Sequence, residues 1–193
     1  MREEVLGEVF RLGVIGGNVG VVDDVTVRLG GRLLAVSRFR EVKKLAETAL
    51  ELGSGDAAVF NAAGQAEIRL GNPAAALDYY NQALPIRRAV GDRQGEAGTL
   101  NDIGMVYDAL GDRQQALDHY NQALPIQRAV GDRHGEAITR YNMAMIHRAN
   151  GDPDDAIAEL EIVVHLDKAV GHPDLEADTA VLNQLKEQRE GDQ

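Results

Sequence analysis

The chain has 193 residues, of which 44% are apolar and 4% aromatic, with no cysteine and a formal net charge of -11. Acidity of this size argues against nucleic acid, whose phosphates call for a basic footprint. The missing cysteine excludes a disulfide framework, a thiolate metal site and a cysteine nucleophile. Scarce rings beside abundant Ala, Leu, Val and Ile suit closely approaching helices better than a sheet sandwich, so an all-α fold is expected. No apolar run approaches the roughly twenty residues of a bilayer span. Met1-Arg2-Glu3-Glu4 is acidic where a signal peptide is basic. The expectation is a soluble, cytoplasmic protein without membrane contact.

In chain order, Val5, Leu6, Val9, Phe10 and Leu12 predict a short amphipathic helix, followed by the glycine-rich stretch Gly13 to Gly20. Residues 1–22 are therefore assigned to an N-terminal helix and a glycine-rich joint. The stretch lacks the Lys-Ser or Lys-Thr ending of a phosphate loop, and a flexible connection between helices is the default. Further on the chain repeats itself. Asn81 to Arg93 (NQALPIRRAVGDR) returns forty residues later as Asn121 to Arg133 (NQALPIQRAVGDR), and Gly71, Ala76 and Leu77 map onto Gly111, Ala116 and Leu117, then onto Gly151, Ala156 and Ile157. A period of this length predicts a solenoid of stacked helical units, which bury their apolar faces only against neighbours.

Punctuation divides each unit into two helices. Asn72-Pro73 and Asp152-Pro153 place a capping oxygen ahead of a first-turn proline, and Asp112 with Gln115 resembles a capping box. Gly71, Gly111 and Gly151 end the first helices, and Gly91, Gly131 and Gly171 the second, where a left-handed residue is needed. Pro85 and Pro125 fall inside helical stretches, so a bend or local break is expected at each. Upstream, Leu29-Gly30, Val42, Ala46 and Ala49 form a weaker copy at a shorter period. The solenoid is assigned to residues 23–190, with units at about 23–55, 56–95, 96–135 and 136–172 and a capping helix at 173–190.

The pattern Phe60, Ala63-Gly64, Ala76, Tyr80, Ala83 and its copy Leu100, Ile103-Gly104, Tyr107, Ala116, Tyr120, Ala123 resembles the tetratricopeptide repeat signature. The forty-residue spacing and the linker Gly-Asp-Arg-x-Gly-Glu-Ala are similar to the kinesin light chain type and to many bacterial signalling proteins. The resemblance implies a right-handed superhelical solenoid whose first helices line a concave peptide-binding groove. Carried onto this sequence, the ligand-facing positions are Asn61, Gln65 and Ile68, then Asn101, Asp102, Met105 and Asp108, then Tyr141, Asn142, Met145 and Arg148. The first unit offers only Val27, Gly31 and Leu34 there. The fourth departs from the signature at Arg140, Met143-Ala144 and His147, with Leu160 and Val163 in its second helix.

Chemistry finds little support. His119, His134, His147, His165 and His172 are scattered without ligand spacing, no serine nucleophile motif occurs, and neither metal nor cofactor is expected. The reading is a non-catalytic scaffold or adaptor that binds a segment of another protein. Asn side chains hold both donors and acceptors for a peptide backbone, Met105 and Met145 give adaptable apolar contact, and Tyr141 suits an energetic anchor. The competing assignment packs the Met pair into neighbouring repeats and uses the Asn residues on nearby loops. Alternative functions are a regulatory module that senses a peptide or small effector, and a homo-oligomer built through the N-terminal segment. Residues 151–193 carry twelve acids against Lys168, Lys186 and Arg189, which reads either as a solubilising cap or as a landing site for a basic partner.

Overall fold

Glycine-ended helices dominate the computed structural model, which describes residues 3–191. Ten helices occur among the described residues, and no strand: α1 (Glu3–Ile15), α2 (Val19–Ala35), α3 (Phe39–Glu51), α4 (Ala57–Arg69), α5 (Pro73–Val90), α6 (Arg93–Ala109), α7 (Arg113–Val130), α8 (Arg133–Asn150), α9 (Pro153–Val170) and α10 (Leu175–Gly191). One left-handed residue follows each of α1 to α9. Eight are glycines, from Gly17 to Gly171, and the ninth is Ser37 at φ 61°, which bears a Cβ where the left-handed region disfavours one. Behind these residues the chain closes with a six-residue bond, as where the His172 amide donates to the Asp167 carbonyl at 2.9 Å. The glycine-rich stretch 13–20 is thus the end of α1, a three-residue connection and the start of α2, rather than a separate flexible segment.

The chain divides into two compact units, Met1–Asp92 and Arg93–Gln193. In the first, α1 packs on α2, α2 on α3, α3 on α4 and α4 on α5; in the second, α6 packs on α7, α7 on α8, α8 on α9 and α9 on α10. Each helix packs on its sequence neighbour, which makes the fold an all-α solenoid. Small residues permit the approach: Ala46, Ala63, Ala76, Ala83, Ala116, Ala123, Ala144 and Ala156 are wholly buried.

Two helix pairs approach closely where a tyrosine ring lies on a glycine. A Cβ on Gly64 would stand 2.6 Å from Tyr80 Cε1, and one on Gly104 2.5 Å from Tyr120 Cε1; both rings are buried. Where the second helix carries Leu160 instead of a ring, the first carries Ala144, and the two share one core cluster. Gly30 faces no ring, since Ala46 stands at the tyrosine position, and a Cβ there would meet Val42 Cγ1 at an ordinary 3.6 Å.

Several sequence expectations change. Pro85 and Pro125 lie inside unbroken helices. Both prolines are exposed, as are Asn81 and Asn121 four residues earlier, so the residues whose carbonyls lose a donor stand on the solvent side of each helix. Asn72 does not cap α5 with its side chain. Its Nδ2 instead donates to Glu67 Oε2 at 2.8 Å, and Lys43 Nζ meets the other oxygen at 2.7 Å, because Glu67 is buried and both oxygens need partners. Asp152 likewise makes no side-chain cap bond, while Asp56, Asp112 and Asp132 do. Arg140, which replaces the expected large apolar residue, is buried at 3% exposure and satisfied by Glu136 Oε1 at 2.9 Å and by Glu159.

The two glycine environments predict opposite effects. Gly104→Ala overpacks the Tyr120 contact and should lower stability by about 1–3 kcal/mol. Gly30→Ala gains helix propensity without a clash and should raise stability by roughly 0.5–1 kcal/mol. Thermal melts by circular dichroism check both, and equal shifts in one direction would refute the assignment.

Candidate interaction surfaces

In the unit Arg93–Gln193 the first helices α6 and α8 pack side by side, and the register of forty places Asn101 with Tyr141, Asp102 with Asn142, Met105 with Met145 and Asp108 with Arg148. Met105, Asp108 and Arg148 are exposed, Met105 at 46%, and the other five are half-buried. Several of these groups are engaged within the fold itself. Asn101 Oδ1 accepts from Thr139 Oγ1 at 3.0 Å, and that hydroxyl accepts from Gln127 Nε2 at 2.9 Å. This three-residue relay ties α6 to α7 and α8 and uses half of the Asn101 amide. Its Nδ2 lies 3.6 Å from Met105 Sδ, a weak acceptor. Tyr141 and Met145 pack on the α9–α10 core. Asn142 Nδ2 is buried, with the Tyr120 hydroxyl beside it. Beneath this face the Tyr120 hydroxyl is pushed well above the ordinary phenol range, by burial first and then by Asp108 and Asp102, so it stays neutral.

Asn61 and Gln65 lie on α4 in the other unit, both half-buried. On α2, Leu34 packs on the core cluster of Leu6, Leu29 and Leu33, while Val27 is 39% exposed.

A cavity of about 340 Å³ opens between α8, α9 and α10, and sequence reading did not anticipate it. Tyr141 and Asn142 lie on its wall, as do Asp167, Asp178, His134 and His172. The His134 and His172 rings stand 5.1 Å apart at 31°. Asp167 is 3% exposed and its Oδ2 has no hydrogen-bond partner. These residues were invisible as a group because His134 and His172 are thirty-eight positions apart and meet only once α10 folds back on α9. Among the described residues no group of three His, Asp or Glu is placed to hold a metal ion. No helix among them is long and apolar enough to cross a membrane.

Asp178 titrates at about 6, up from 3.8, through burial first and then the hydrogen bond and charge of Asp167. The folded chain keeps a proton on Asp178 that the unfolded chain gives up near pH 4, so this site stabilises the fold in mild acid and loses that contribution as pH rises through 6. Asp178→Asn should therefore melt above the parent chain at pH 7.5, with the gap closing toward pH 5. Melting curves at the two pH values check this, and a constant gap would contradict it.

Sequence and structure comparisons agree with this architecture. Residues 55–129 and 95–162 match the tetratricopeptide repeat family, and no curated protein matches the chain. In structure the chain is similar to MamA, at 15% identity over 88% of each chain and a TM-score of 0.68. It is also similar to a kinesin light chain with nearly identical TPR-like repeats from Podosopora anserina, at 20% identity over 86% of this chain and 87% of that one, TM-score 0.69. A third is YrrB, a TPR protein with an unusual peptide-binding site, at 21% identity over 86% and 78%, TM-score 0.56. Identities this low establish the shared fold alone. The sequence matches, however, span residues 55–162, more than half of the chain, and with the glycine–tyrosine packing of α4 on α5 and α6 on α7 they show that the chain belongs to the tetratricopeptide repeat family.

Proposed function

We propose that this chain is a non-catalytic interaction scaffold that captures a segment of a partner protein on the α6–α8 face. The observation that carries the reading is Met105, a large apolar side chain 46% exposed in the middle of a polar face. Asp108 and Arg148, one turn further along their helices, give that face charges of both signs. An apolar centre within a polar rim is the anatomy of a binding patch. Asn101 has a structural duty to Thr139, so the energetic contact falls on Met105, Tyr141 and Asn142. The fold resemblance to YrrB, a TPR protein with an unusual peptide-binding site, is in line with a peptide ligand.

Met105→Glu combined with Arg148→Glu should weaken partner capture at least tenfold, about 1.4 kcal/mol, with melting unchanged because both positions are exposed. Comparative capture from cell lysate, read by mass spectrometry, tests this. An identical retained set would refute it.

A second reading, self-association through the N-terminal segment, is favoured by α1. Val5, Leu12 and Ile15 are 48%, 55% and 69% exposed and lie on one helical face, seven and three residues apart. Exposed apolar stripes mark interfaces. Leu12→Glu should then reduce the sedimentation coefficient of the full chain, and an unchanged coefficient would reject it.

A further inference from the structure

The cavity between α8, α9 and α10 holds a charge that the fold itself does not neutralise. Asp167 occupies the last turn of α9, where the helix dipole opposes a carboxylate. The matching positions of α5 and α7 carry Arg87 and Gln127. Arg87 pairs with Asp92 at 2.8 Å and Gln127 donates to Thr139, although Arg87 Nε and Gln127 Oε1 are themselves buried without a partner. Asp167 is the only acid of the three, and its buried Oδ2 receives no hydrogen bond from an amide, hydroxyl or basic group. Desolvating an unpaired carboxylate costs several kcal/mol unless a partner is supplied.

Protonated Asp178 can donate to Asp167, but once Asp178 ionises no titratable neighbour meets that need. Asp178 faces the site from α10 as a second acid, and Asp174 in the preceding turn is a third. His172 Nδ1 stands 4.0 Å from Asp167 Oδ1 and 3.8 Å from Asp174 Oδ2. That nitrogen accepts the Asp174 amide at 3.3 Å, which assigns it no proton to give Asp167. His134 lies against the His172 ring, and the Tyr141 ring also borders the space. No lysine or arginine among the described residues pairs with Asp167 or Asp178. The remaining wall includes Ile138 and Val163, which suit a hydrocarbon stem.

We propose that this cavity binds an organic cation, an alkylammonium or guanidinium head seated between Asp167 and Asp178 with its apolar stem along Ile138 and Val163. Aromatic faces at Tyr141 and the His134–His172 pair add attraction for the cation, and a charge-assisted hydrogen bond supplies what Asp167 Oδ2 lacks. The head belongs either to a lysine or arginine side chain of the captured segment or to a free polyamine. The first source rests on the scaffold reading above, and the second does not. Ionised Asp178 strengthens the site, and its titration near pH 6 makes occupancy greater above that pH than below it.

The test titrates the full chain with N-acetyl-lysine methylamide, N-acetyl-arginine methylamide, spermidine and the neutral isostere N-acetyl-norleucine methylamide, following the His134 and His172 ring resonances. At pH 7.5 a cationic probe should bind at least about tenfold tighter than norleucine, with the preference shrinking at pH 5. Asp167→Asn should abolish that preference. Asp178→Asn, at the more peripheral helix, should reduce it and serves as the readout if the first variant folds poorly. Preference for the lysine or arginine probe over spermidine assigns the head to a protein segment, and the reverse order assigns it to a free amine. Met105→Glu with Arg148→Glu should leave probe binding intact, which separates this site from the α6–α8 face. Norleucine binding equal to the cations, no response to any cation, or full retention in both aspartate variants overturns the proposal.

Discussion

A tyrosine ring lying on a glycine sets the geometry on which the rest of this chain depends. With hydrogen in place of a methyl group, Gly64 and Gly104 let the Tyr80 and Tyr120 rings reach the backbone of the facing helix, and the buried alanines above and below follow that spacing. The contact is one of shape, since interiors packed at crystal-like density have no slack for an added carbon. The substitution of the pair by Ala144 and Leu160 shows the same rule from the other side. When the second helix loses its ring, the first regains a methyl group, and the volume across the contact is kept roughly constant.

This architecture leaves one side of the first helices partly open to solvent. Within Arg93–Gln193 the buried side of α6 and α8 is spent on packing, whereas the opposite side mixes residues with two duties. Asn101 both closes a hydrogen-bond relay and borders the exposed face. Tyr141 and Asn142 share the α8 face with Met145 while also lining the cavity beside α10. A ligand on the proposed face would therefore be coupled to the packing of the helices that carry it.

Much of the fold was legible because the signal is periodic and local. The forty-residue repeat, the glycines at helix ends and the small residues at Ala76, Ala116, Gly64 and Gly104 each have a mechanical reason that sequence alone exposes. Ser37 was not legible, since nothing in its side chain announces a left-handed backbone. The prolines misled because propensity ignores which side of the helix faces water, and both stand on the wet side. Asn101 looked like a ligand residue until Thr139, thirty-eight positions on, claimed its oxygen. Asp167 was only one of the twelve acids counted in residues 151–193, because the groups around it come from α8, the turn after α9 and α10. Periodicity identifies which residues occupy equivalent places, but not what the neighbouring unit brings to each of them.

Packing each helix mainly on its sequence neighbours carries a kinetic corollary. Partners nearby along the chain give low contact order, so little loop-closure entropy stands before the native contacts form and folding is fast for a chain of this length. The same locality means that amide protection should not be uniform. Helices flanked on both sides, such as α4 and α8, exchange last, while α1 and α10 open without carrying the interior with them. Because α10 forms one wall of the acidic cavity, anything that holds that wall in place also slows the fraying of this end of the solenoid.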